Sequence, residues 1–126
     1  MITSTSQPEK YLARFTDGAH EALADTTPEY GGKSAGFKPV DLLEAALANC
    51  VTMVVRIAAD KRNIPLEGVE VQVTLNRENK DESVFEYKID LRGQLTDDQK
   101  ATLLRAASGC PVKKILGGAV SFKDVG

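Results

Sequence analysis

The sequence predicts one domain in which antiparallel sheet wraps a long buried helix, and three stretches carry that expectation. Residues 39–61, PVDLLEAALANCVTMVVRIAADK, contain no glycine and no proline after the first position, and are apolar on almost every face from Leu42 to Ala59. Residues 69–75 and 85–91 alternate apolar with polar side chains, and the polar run ENKDES stands between them. Thr96 and Gln99 have the spacing of a helix-opening capping box.

Pro39 suits a first helical position, where its fixed backbone angle helps and its missing N–H costs nothing. A helix apolar all round is a buried one. Asp41, Glu44, Asn49 and Arg56 cut the segment into apolar runs far shorter than the roughly 20 residues a bilayer requires, so the expectation is a core helix with no membrane contact. Strict alternation marks two half-buried strands, and the polar linker makes them an antiparallel hairpin. The capped helix carries Ala101, Leu103, Leu104, Ala106 and Ala107 and stops at Gly109. CPVKKIL, residues 110–116, restarts with proline at a first helical position and ends at Gly117 and Gly118. AVSFK reads as a final short strand. At the other end, Tyr11–Phe15 and Glu21–Thr26 form a hairpin around Asp17-Gly18, and Thr27–Lys38, with Pro28, Gly31, Gly32 and Gly36, reads as a mobile loop. Residues 1–10 are polar and expected to fray, leaving residues 1–126 as a single domain.

The 126 residues suffice to bury a core without metals or structural disulfides. Sixteen Lys and Arg against eighteen Asp and Glu give a net charge of −2 with no basic cluster, which argues against a nucleic-acid partner. The N-terminus lacks the apolar run of a secretory signal, so the expected location is cytoplasmic. With one histidine, His20, and two cysteines, neither a metal site nor a disulfide scaffold is expected, and no cofactor is implied. In a reducing compartment, two cysteines are either buried apolar filler or one redox couple.

The two thiols differ in their local sequence. Cys110 immediately precedes Pro111, which puts it at a helix start beside Lys113 and Lys114, and the expectation is a lowered pKa. Cys50 sits in mid-helix on a stripe with Leu43, Ala46, Leu47, Met53, Val54 and Ile57. An apolar setting raises a thiol's pKa, so a reactive Cys50 needs a cation or hydrogen-bond donor from elsewhere in the fold. Glu44 lies about 120° round the helix from it, too far to act directly but able to orient an arginine. Arg14 and Arg56 are the candidates, and ordinary ion pairing is the competing reading for all three residues.

The combination KPVDLLEAALANC, ending at Cys50, then a strand pair and a capped helix, then CPVKKIL from Cys110, resembles the OsmC/Ohr superfamily from about residue 11 to the end. That resemblance implies an α+β, OsmC-like fold, with the long central helix wrapped by antiparallel sheet and two chains intertwined as a homodimer whose active sites lie at the interface. It also implies a thiol-dependent peroxidase: Cys50 attacks an organic hydroperoxide or hydrogen peroxide, Cys110 resolves the sulfenic acid as a disulfide, and an external dithiol reductant restores both thiols. The organic-hydroperoxide branch resembles PEQLF or PEELI ahead of the first cysteine, its Glu holding the activating arginine. Here Val40 stands at that position with Asp41 next, which moves the chain toward the broader OsmC-like group and leaves Arg14 and Glu44 as candidate activating residues by location. Two other readings use the same features: a non-catalytic protein that binds ligands in an apolar pocket at the dimer interface, and a thiol–disulfide exchange protein.

Overall fold

The computed structural model describes residues 1–126, which form two compact units, Met1–Leu43 and Glu44–Gly126. The boundary falls inside the longest helix.

In the first unit, β1 (Thr3–Ser6), β2 (Ala13–Thr16) and β3 (Glu21–Ala24) form an antiparallel sheet in that order. The expected fraying of residues 1–10 is corrected by β1, which pairs Thr3 with Thr16 and Ser6 with Ala13. Its sequence, TSTS, is exposed throughout. Backbone pairing alone orders it, and no apolar alternation announces it. The β2–β3 turn is closed by Asp17, whose carboxylate accepts from the backbone N–H groups of Ala19 and His20 at 2.8 and 2.7 Å and lies 2.9 Å from His20 Nδ1. These partners, His20 foremost, lower its pKa to about 2.

The segment expected as a mobile loop is instead tied down. Asp25, buried, accepts from the N–H groups of Thr26, Lys33 and Ala35 at 2.8–3.1 Å, and these bonds, that from Ala35 first, hold its carboxyl below the usual range. Pro28–Tyr30 forms a 3₁₀ turn, and Phe37 bridges back to Ala24. Gly36 is required there, because a Cβ would run into the Leu23 carbonyl.

Helix α1 spans Pro39–Lys61, the bounds read from the sequence. Asp41 reaches back to the Lys38 N–H at 3.3 Å, closing one of the orphan donors at the helix start. At its far end Asn63 adopts φ 52°, while the Ile64 and Asn63 N–H groups bond the Ala59 and Asp60 carbonyls at 2.9 and 3.4 Å. That is a Schellman stop. The expectation of burial all round is corrected: Leu47, Val51, Val55, Ala58 and Ala59 are buried, but Leu43, Met53 and Ile57 are 45, 61 and 51% exposed. By length and composition α1 would also suffice to cross a membrane, because the polar residues that divide it are too few to lower its average apolarity. It nevertheless packs one face into the core.

The second unit pairs β4 (Gly68–Asn76) with β5 (Val84–Arg92), from Gly68 opposite Arg92 to Asn76 opposite Val84. Helix α2 (Asp97–Ala107) opens with the full capping box of Thr96 and Gln99, and α3 (Pro111–Leu116) follows. Leu47, Val51 and Val55 from α1 share one core with Ile64, Leu66, Leu103 and Cys110, rimmed by the alternating Val69, Val71, Val73, Phe85, Ile89 and Leu91 of the hairpin. Residues 119–123, expected as a closing strand, are not in a strand. No neighbouring strand pairs with them, and Phe122 is 95% exposed.

Candidate functional site

Cys50 lies in mid-α1 and Cys110 caps α3, yet both are free thiols and Cys50 is near enough to influence the titration of Cys110. The helix places Cys50 at the border between the buried and open stripes of α1, so it is half-buried. Cys110 is wholly buried in the core. Its sulfur accepts from the Lys113 N–H at 3.5 Å, the capping contact that its position before Pro111 predicts.

The expected lowering of the Cys110 pKa is corrected. Burial pushes this thiol up, the neighbouring Cys50 thiol pushes it further, and the Lys113 and Val112 N–H groups offset only part of the rise. The N–H groups at the start of a six-residue helix are a weaker influence than removal from water. Lys113, whose charge was expected to help, points its amine elsewhere, at 3.1 Å from the Tyr87 hydroxyl and 5.2 Å from the centre of that ring.

The candidate activating residues are placed as follows. Glu44 Oε2 accepts from the Leu75 N–H at 2.8 Å, tying the start of the second unit to the end of β4. Arg56 directs its guanidinium to Asp60 Oδ1, at 2.7 and 3.1 Å, and to the Leu66 carbonyl at 2.7 Å. It is a brace between helix and hairpin entry. Arg14 is exposed on β2. It is in none of the chain's ion pairs, which are His20–Asp17, Lys38–Asp41, Arg56–Asp60 and Lys88–Asp90. No group of three or more His, Cys, Asp or Glu is arranged to hold a metal.

Beside the thiols is a cavity of about 250 Å³ lined by Leu47, Phe85, Leu116, Ser83, Tyr87 and Lys113, with Gly117 at its edge. Sequence reasoning missed it. Tyr87 and Lys113 are 26 positions apart, and only the alternation that puts Tyr87 on the same face of β5 as Phe85 and Ile89 hinted at its place beside the cavity.

Solved structures of several proteins resemble this fold. A protein of Psychrobacter arcticus assigned to osmotic stress and detoxification responses matches with a TM-score of 0.75 at 24% identity, covering 90% of this chain and 85% of that one. An organic hydroperoxide resistance protein OsmC from Legionella pneumophila matches with a TM-score of 0.65 at 21% identity, over 94% and 88%. An OsmC-like protein from Mycoplasma pneumoniae gives 0.73 at 19%, over 94% and 86%. Among curated proteins, none is similar enough in sequence to count as a match. The family model of the OsmC-like protein matches residues 31–123, a stretch that includes α1, both strands of the hairpin and both cysteines, and the chain therefore belongs to the OsmC-like family.

Proposed function

We propose that this protein is a thiol-dependent peroxidase that reduces organic hydroperoxides or hydrogen peroxide with Cys50 and Cys110. The observation that carries this reading is the nearness of two free thiols of unequal exposure, one half-buried and one wholly buried. The more accessible Cys50 is the attacking thiol. Its thiolate attacks the outer oxygen of the hydroperoxide; the S–O bond forms as the O–O bond breaks, the alcohol leaves with a proton, and Cys50 becomes a sulfenic acid. Cys110 then attacks that sulfur, water leaves, and a disulfide joins the pair. An external dithiol reduces the bridge by two exchanges and is itself oxidised to a disulfide. The raised pKa of Cys110 fits the second role, since a protonated resolving thiol waits until the sulfenic acid has formed beside it.

Arg14, free of any ion pair, is the proposed activating cation; Glu44, expected to orient an arginine, holds the Leu75 N–H of β4 and pairs with none. The working form is a homodimer in the cytoplasm. The exposed apolar side chains Leu43, Met53 and Ile57 on α1 support it, because exposed apolar surface on a helix is what a second chain can cover.

The test is steady-state consumption of cumene hydroperoxide with a small dithiol as reductant. Wild-type protein should turn over and Cys50→Ser should not, while Cys110→Ser should complete a single turnover and hold a sulfenic acid on Cys50 that dimedone traps. Turnover undiminished in Cys50→Ser overturns the reading. Failure of the wild-type protein to consume peroxide, with ready exchange of its disulfide, moves the couple to thiol–disulfide exchange.

A further inference from the structure

The geometry points to a binding site for a small carboxylate with an apolar tail in the cavity between β5 and α3, its head held by Lys113 and Tyr87. The inference does not depend on peroxide chemistry. Three observations carry it. The cavity floor, Leu47, Phe85 and Leu116, is apolar, which suits an alkyl or aryl group. The polar groups converge at one side: the Lys113 amine and the Tyr87 hydroxyl lie 3.1 Å apart and both line the cavity. The ammonium is also charge-unpaired, since none of the chain's ion pairs includes Lys113.

An ammonium held over an aromatic ring and beside a phenol, with no carboxylate of its own, is a donor pair awaiting an acceptor. A carboxylate accepts from Nζ and from the phenolic O–H together, in charge-assisted hydrogen bonds stronger than those a neutral alcohol makes. The volume of about 250 Å³ is just under the roughly 300–1,000 Å³ of sites for drug-sized molecules, which sets the ligand at the size of a medium-chain acid. The site also borders the thiols. The backbone N–H of Lys113 is the donor to Cys110, and Leu47 precedes Cys50 on α1 by about one turn, so an occupant would sit beside the redox pair without touching either sulfur.

The test is calorimetric titration of the full-length reduced protein with sodium octanoate and, separately, with 1-octanol, in the absence of peroxide. Octanoate should bind at least about tenfold tighter than the alcohol, and added salt should weaken the acid and leave the alcohol unchanged. Lys113→Met should remove the preference, Tyr87→Phe should reduce it and Lys113→Arg should keep it, with circular dichroism confirming that each variant is folded. Equal binding of the two probes, undiminished octanoate binding by Lys113→Met, or no octanoate binding at millimolar concentration would overturn the inference. Because no peroxide is present, none of these outcomes bears on whether Cys50 reduces one.

Discussion

Cys50 and Cys110 are near in space but belong to different surroundings. Cys50 lies at the edge of α1's open stripe, half-buried, on a long helix fixed at both ends. Cys110 is sealed into the core with Leu103, which has no exposed surface, at the start of a helix of six residues. The sequence pointed to Cys110 as the reactive thiol because local features, a helix start and two lysines, surround it. The fold overturns the expectation for Cys110, since long-range burial outweighs the N–H groups at the start of α3 and Lys113 sends its charge toward Tyr87. Nearness to a helix start is a local property, whereas access to water is set by the whole core.

The comparison breaks most visibly if the seal on Cys110 is removed. Leu103→Ala should cost about 2–5 kcal/mol of stability by urea unfolding and speed alkylation of Cys110 in the native protein. If Cys110 stays as slow in that variant, its shielding comes from elsewhere. In the unaltered reduced protein at neutral pH, iodoacetamide should modify half-buried Cys50 faster than wholly buried Cys110, whose sulfur the reagent cannot reach without local opening. Equal rates, followed by peptide mass spectrometry, would erase the distinction.

Stability should carry the same signature. Because burial holds the Cys110 pKa above its ordinary value, the unfolded chain releases this proton at lower pH than the folded one does. The contribution is fully present below the ordinary thiol range and is lost as pH rises through it toward the folded value. Urea midpoints should therefore decline above about pH 8.5, and Cys110→Ala should flatten that decline. The smallest effect lies away from the thiols: Thr96→Ala, which removes the α2 cap, should cost about 1 kcal/mol while leaving both alkylation rates unchanged.

Much of the fold was legible because its signals are local. The bounds of α1 follow from Pro39 and the lack of any further breaker, β4 and β5 from strict alternation, and α2 from Thr96 and Gln99. What escaped depends on partners distant in sequence. TSTS becomes β1 only because β2 offers it a pairing edge, and Asp25 orders a glycine-rich loop through N–H groups 8 and 10 positions away. Of the candidate site, the pair of cysteines was legible through the family pattern. The sign of the Cys110 shift was not, and neither was the Lys113–Tyr87 pair, because burial and cavities arise only from packing.

The most direct test of the proposed couple is mass spectrometry of a non-reducing digest after the reduced protein meets one equivalent of cumene hydroperoxide. The reading predicts a Cys50–Cys110 disulfide with loss of both thiols, restored by a dithiol. Recovery of both cysteines as free thiols, or oxidation of Cys110 while Cys50 stays reduced, would contradict it.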